Sequence, residues 1–331
     1  MNTPPAEHTR VSQESLHALV AEIGRAAGLP AGRADLLATL LVANDLRGVF
    51  SHGTRQIATY ARLMRDGTLN PRPNVRVTSE TPSSLVVDGD GGLGYFPAYD
   101  GTLAVIEKAK AQGIAVLLTR NHGHFGAAGI YSRLTLGHDL LAFVTSGHQL
   151  SLEAGEPVFS AAGGSPMSFS APAWDEDSLV LDFGTMHDLY AESPHRDEIA
   201  RLAPGLVFRA IGLGAACQAW GGLLAGVPVD SAATSRAYPG ADQGSLVVTF
   251  RISLFMPAEQ FRRELDAYVR AVRRLSPLEG FDQANLPGGI EAGRERAYGR
   301  EGIPVGPEHT RALEEVAAEF GVPVPWPAGP P

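Results

Sequence analysis

Asp45-Leu46-Arg47-Gly48-Val49-Phe50-Ser51-His52-Gly53-Thr54-Arg55 joins two helical patterns and sets a hydroxyl, an imidazole and a guanidinium within five residues. Upstream, Leu36, Leu37, Leu40, Leu41 and Val42 mark an apolar helix face that Gly48 brings to an end. Ser51 stands where an N-cap belongs, ahead of the face made by Ile57, Tyr60, Ala61, Leu63 and Met64. That order predicts a helix opening at Ser51 and running to about Met64. On such a helix His52 and Arg55, three apart, share one face. The unpaired N–H groups of a first helical turn attract an anion, and arginine can grip a carboxylate with two parallel bonds. An imidazole beside that carboxylate suits proton transfer to a neighbouring carbonyl or imine. The same residues also read as an ordinary helix start with a polar first turn, and the turn alone does not choose between the two.

A second run does. Arg120-Asn121-His122-Gly123-His124-Phe125-Gly126-Ala127-Ala128-Gly129-Ile130-Tyr131 follows the apolar stretch Gly113–Leu118. A strand opening into a glycine-rich turn with two histidines offers imidazoles at a sheet edge. Together the two runs resemble the type-2 malate/L-lactate dehydrogenase family, which includes ureidoglycolate and sulfolactate dehydrogenases and reductases of cyclic imino acids. The family pattern Asp-Leu-Arg-Gly-x-x-Ser-His-Gly is present at 45–53. The pattern Arg-Asn-Ser-x-His-Phe-Gly is present at 120–126, with His122 in place of serine.

The resemblance implies a mixed α/β fold like that of L-sulfolactate dehydrogenase, with a largely antiparallel central sheet and not a Rossmann fold. It implies three stretches: an N-terminal helical segment on the substrate side (1–75), a central sheet domain on the cofactor side (76–255), and a C-terminal segment (256–331) returning to the first lobe. It further implies a homodimer, NAD or NADP as cofactor, and a small carboxylate substrate.

Composition is that expected of a soluble globular protein: 44% of residues are hydrophobic and 19% charged. The net charge of −9 and the lack of any basic block argue against a nucleic-acid partner. A single cysteine, Cys217, rules out an intrachain disulfide and fits a reducing compartment, so the expected location is cytoplasmic. The polar start Met1–Thr9, with two prolines, is no secretory signal, and the chain ends in a proline-rich tail. Ala210–Val229 carries no charge, yet its five glycines, glutamine and proline make it too weakly hydropathic for a lone membrane span. It reads as a buried small-residue helix.

Gly89-Asp90-Gly91-Gly92-Leu93-Gly94 matches G-x-G-x-x-G between a strand and a helix reaching Gln112, the local context of a dinucleotide fingerprint. The acid expected about 20 residues on would be Glu107, inside that helix, and the family has glycines here without a Rossmann fold. The motif is therefore set aside. Departures from the family gather later in the chain. Residues 183–206 read as irregular and lack its Arg-Gly-Lys and Gly-Asn-x-Thr-x-Asp-Pro elements. Its Gly-x-Lys-Gly-x-Gly-Leu run corresponds to Arg209–Ala215 without the lysine.

By the resemblance, the catalytic candidates are His52 and His124 as alternative proton donors, with Ser51 orienting an imidazole and Asp182 either orienting one or contacting the nicotinamide ribose. Arg55, Tyr60 and Thr145 are the substrate-side candidates, although Tyr60 reads equally as core. The cofactor wall would be drawn from Gly126, Ser146, Phe183, Gly184, Thr185, Pro287 and Gly288. His122 reads as a packing variant. The histidines lack a carboxylate or cysteine at ligand spacing, so no metal is expected. The expected activity is NAD(P)H-dependent reduction of a 2-oxo acid or a cyclic imino acid. The departures at 183–214 leave an alternative: a repurposed member without nicotinamide, acting by acid/base chemistry as an isomerase, lyase or cyclase.

Overall fold

Strand β1 (Thr9–Val11) leads to Ser12, whose hydroxyl accepts the Ser15 N–H at 3.1 Å and so caps helix α1 (Gln13–Ala26). The computed structural model describes residues 4–230 and 235–326, so Met1–Thr3 and the end of the proline-rich tail lie outside the described residues. The chain continues through α2 (Ala31–Leu46), α3 (Ile57–Arg65), β2 (Arg76–Thr81), β3 (Ser84–Asp88), α4 (Tyr95–Gln112), β4 (Ile114–His122), α5 (Gly129–Leu134) and β5 (Leu140–His148). Then come β6 (Pro166–Ala171), β7 (Leu179–Gly184), α6 (Arg196–Leu202), α7 (Pro204–Cys217), β8 (Gln243–Arg251) and α8 (Ala258–Val272). Helix α9 (Gly289–Glu301), β9 (Ile303–Val305) and α10 (Pro307–Glu319) close it.

Two units result, Met1–Pro73 with Gly288–Pro331, and Asn74–Pro287. In the first, β1 pairs antiparallel with β9, tying the start of the chain to its end. Leu16, Ile23, Leu37, Leu41, Ile57, Leu313 and Val316 are fully buried there, drawn from α1, α2, α3 and α10. The spacing predicts a helix over about 258–274 followed by a loop, and where that loop is expected the structure has α9. Its apolar residues are too few and its glycines (Gly289, Gly293, Gly299) too many to show a helical period, and the first unit holds it instead. Arg47 pairs with Glu295 at 2.8 Å, and Phe50 stacks on Tyr298 with ring centres 6.4 Å apart.

The second unit is built on a seven-stranded sheet in the order β2-β3-β4-β8-β5-β6-β7. Its β3–β4 pairing is parallel, bridged by α4, and the other five pairings are antiparallel. This is the largely antiparallel α/β arrangement that the sequence leads one to expect. Helix α8 belongs here and not with the returning segment, so the return to the first unit begins at Gly288 instead of near residue 256. The reason is electrostatic. Asp266 accepts the N–H groups of Trp174, Asp175 and Glu176, while Arg273 pairs with Glu176 and with Asp177 (2.7 Å).

The uncharged stretch after residue 204 forms α7 followed by a π-helical turn, Gln218–Leu223. Together they are long and apolar enough to cross a membrane by length and composition. Glycine explains the docking instead. A Cβ on Gly221 would stand 2.5 Å from the Ser146 backbone, and one on Gly244 would meet the Gly221 carbonyl at 2.6 Å. The helix lies this close to β5 and β8 because those positions have no side chain.

Candidate active site

The helix predicted to open at Ser51 starts only at Ile57. Residues 50–56 make two 3-10 turns, Phe50–His52 and Thr54–Gln56, separated by an extended Gly53. Ser51 caps nothing; its hydroxyl lies 2.9 Å from His52 Nδ1 and its carbonyl accepts the Gln56 side-chain amide at 2.7 Å. His52 and Arg55 therefore sit on successive turns and not on one helix face. His52 is partly buried, which pushes its pKa down, and its carbonyl accepts Asn44 Nδ2 at 2.8 Å. Arg55 is exposed, with Nη1 3.7 Å from Glu308 on α10.

Beneath the turn lies a buried polar group that explains the break. Asp45 Oδ2 accepts both the Thr54 N–H (2.9 Å) and the Thr54 hydroxyl (2.6 Å). Thr54 Oγ1 is then left to accept from His309 Nε2 at 2.9 Å. Asp45 and Thr54 are fully buried and His309 nearly so. Burial pushes Asp45 up to about 7 against the Thr54 bonds, and burial with the nearby Arg55 charge pushes His309 down to about 4. Asp45 Oδ1 is buried and has no partner among the described residues. Any Cβ on Gly53 would overlap this carboxylate, so the glycine of the Ser-His-Gly run is required by space.

In the second unit the glycine fingerprint at 89–94 is spent on structure. The N–H groups of Gly89, Gly91 and Gly94 bond to the carbonyls of Arg120, Asn121 and His124, and Gly123 N–H returns to Gly92 O. These amides hold the histidine turn and have nothing left for a phosphate. His122 is fully buried: Nδ1 donates to Gly123 O at 2.7 Å and Nε2 accepts from Thr119 Oγ1 at 2.7 Å. Burial pushes it down to about 4, making it a neutral packing group. His124 is partly exposed on the same turn. Gly126 has φ +82°, and a Cβ there would meet the Tyr95 ring at 2.5 Å. Asp182, on β7, sits with Arg133 over Gly129 at the start of α5.

Two of the cofactor-wall candidates, Phe183 and Gly184, end β7 beside the start of β6, which also lies beside the substrate-side candidate Thr145. Thr145 Oγ1 donates to Pro166 O at 2.8 Å, and β6–β7 pairing sets Phe183 beside Met167 and Gly184 beside Pro166. A Cβ on Gly184 would stand 3.3 Å from Gly164 O, and one on Gly163 (φ +57°) 3.0 Å from the His148 ring. Ser146 is buried and pairs in register with Ser245. Thr185 Oγ1 is buried without a partner among the described residues. Pro287 O accepts Val180 N–H at 3.0 Å, and Gly288 (φ +97°) opens α9. Thr145 and Tyr60 are buried within their units. His52 and Arg55 belong to the first unit, His124 and Asp182 to the second. Sequence reading passed over Thr54, His309 and His148. Thr54 adjoins the recognised run, but nothing local marks a histidine 255 positions away.

The fold is that of dehydrogenases with a mixed, mostly antiparallel sheet. Malate dehydrogenase from Pyrococcus horikoshii OT3 superposes with a TM-score of 0.82 over 98% of this chain and 99% of its own, at 22% identity. By sequence, L-sulfolactate dehydrogenase of Methanocaldococcus jannaschii is 27% identical, covering 92% of this chain and 95% of its own. Ureidoglycolate dehydrogenase (NAD(+)) of Escherichia coli O157:H7 is 25% identical, over 89% and 92%. The malate/L-lactate dehydrogenase family profile matches residues 11–187 and 197–314, and the chain belongs to that family. It is an oxidoreductase. The interruption at 188–196 falls inside the stretch whose family elements are missing.

Proposed function

We propose that the protein is an NAD(P)H-dependent reductase of a small 2-oxo acid or cyclic imino acid, running in reverse as a 2-hydroxy-acid dehydrogenase. The Ser51–His52–Arg55 turn carries this reading. A Ser51 hydroxyl donating to His52 Nδ1 puts the ring proton on Nε2, the atom that would protonate a developing alkoxide or amine. Arg55 takes the substrate carboxylate. Its Glu308 partner is 82% exposed at 3.7 Å, an ion pair weak enough for a substrate to displace. His124 is the second candidate donor, and Asp182 is an acceptor on the cofactor side.

Bound nicotinamide supplies the hydride. The orphaned Thr185 hydroxyl, beside strand end Phe183–Gly184 and the Gly163–Gly164 loop, fits a carboxamide or ribose hydroxyl. Pro287 and Gly288 close the list of candidate cofactor contacts. One observation favours the second reading, chemistry without nicotinamide. Ile211, at the place of the family lysine, is buried with Ala162, Met186, Leu189 and Val207. No cation stands at that position to meet a phosphate.

Titrating the protein with NADH and with NADPH while following tryptophan fluorescence separates the readings. Quenching at micromolar cofactor is expected, with oxaloacetate or pyruvate then oxidising the bound cofactor in wild type but not in H52N. No quenching at millimolar concentrations would replace the reductase with the cofactor-free enzyme. We further propose a homodimer, as the outer face of α7 and the following turn is apolar.

A further inference from the structure

We propose that His309 and Thr54 are positioning residues of the active-site turn: a lock, Asp45–Thr54–His309, through which the C-terminal helix sets the placement of His52 and Arg55. The inference rests on the reading that this turn takes the substrate. The first turn of α10 brings two side chains to one seven-residue stretch, His309 to Thr54 and Glu308 to Arg55. Thr54 is the hub, donating by N–H and O–H to one carboxylate oxygen and accepting from the imidazole. With Asp45 anchored in α2, the hub ties two helices to the one peptide that follows Gly53.

Three features separate this from ordinary core satisfaction. The carboxylate oxygen facing Gly53 is left unpartnered, a cost that an apolar contact would avoid. Gly53 has no side chain of its own to hold its extended conformation, so the bonds to Thr54 must hold it. The two residues flanking Gly53 and Thr54, His52 and Arg55, are the ones the chemistry needs. Loss of the hub would let the turn shift, and small misplacements of reacting groups cost about tenfold to a hundredfold in rate.

The test compares T54V, which removes the hydroxyl with little change of shape, with T54S, and H309L with H309Q. All are made in the full chain with 13C-labelled histidine, the His52 resonance being assigned by its loss in H52N. With oxaloacetate and NADH, T54V and H309L are expected to lose about tenfold or more in kcat/KM, with both kcat and KM moving, and to shift the His52 ring resonance. T54S and H309Q are expected to restore both readouts to near wild type. The lock is overturned if T54V or H309L lowers Tm while kcat, KM and the His52 resonance stay at wild-type values. It is equally overturned if the conservative variants fare as badly as the disruptive ones. Should H309L not fold, the T54V/T54S pair decides alone. Should H52N and R55A turn over oxaloacetate like wild type, the functional reading fails, and the His52 resonance still tests the lock.

Discussion

At position 122 the family pattern has serine, and the imidazole that replaces it is wholly enclosed, donating to one carbonyl and accepting from one hydroxyl. Its pKa of about 4 lies below the ordinary 6.5, so between those values the unfolded chain binds the proton that the folded chain refuses. Stability from His122 is therefore complete above pH 6.5 and lost as pH falls towards 4. His309 acts in the same direction. Asp45, raised to about 7, acts oppositely, its contribution falling as pH rises from about 4 to 7. Comparing wild type with H122Q isolates one member, because glutamine can both donate to Gly123 O and accept from Thr119. The urea-unfolding free energy of H122Q relative to wild type is expected to improve on the order of 1 kcal/mol per pH unit between 6.5 and 4. A pH-independent difference would contradict the assignment. At this scale the sequence was legible for residues inside a recognised run, such as His52 and Arg55. It was silent on His309, whose partner is distant in the chain.

Helix α7 and the π turn that follows it carry two different kinds of glycine. A Cβ on Gly212 would meet nothing within 4 Å, whereas one on Gly221, in the turn that follows, would press on the Ser146 backbone at 2.5 Å. G212A is expected to stabilise by roughly 0.5–1 kcal/mol through helix propensity. G221A is expected to destabilise by roughly 1–3 kcal/mol through overpacking, as backbone cannot yield like a side-chain tip. Opposite shifts of the urea midpoint would bear out the docking; equal shifts would contradict it. Sequence period predicts helices at about 12–27, 31–47 and 308–320, where α1, α2 and α10 stand, because each buries a regular stripe. It missed α9, whose hold on the first unit comes from Arg47–Glu295 and Phe50–Tyr298. It also ran the third helix through Ser51, since capping chemistry cannot foresee a buried aspartate pulling Thr54 inward.

Across the whole molecule the most telling surface is apolar. Leu206 (57% exposed), Phe208 (69%), Leu213, Trp220 (52%), Leu223 and Leu224 (62%) line the outer side of α7 and its π turn. A contiguous exposed apolar surface marks an interaction site. Sedimentation at micromolar concentration is expected to give twice the chain mass, and F208E with L224E to give the monomer. A wild-type monomer would remove the proposal.

The sequence by itself determined the family, the mixed α/β class with its mostly antiparallel sheet, and the two histidine-bearing runs. The runs are local pattern, a matter of which residue follows which, and the fold class came with the family that they resemble. Only the tertiary structure decided that the fingerprint glycines latch a turn, that Ser51 caps nothing, and that His309 reaches Thr54. Each of those outcomes depends on which hydrogen-bonding groups the fold leaves buried together, and a buried polar group takes whatever partner lies nearest in space, however far away along the chain.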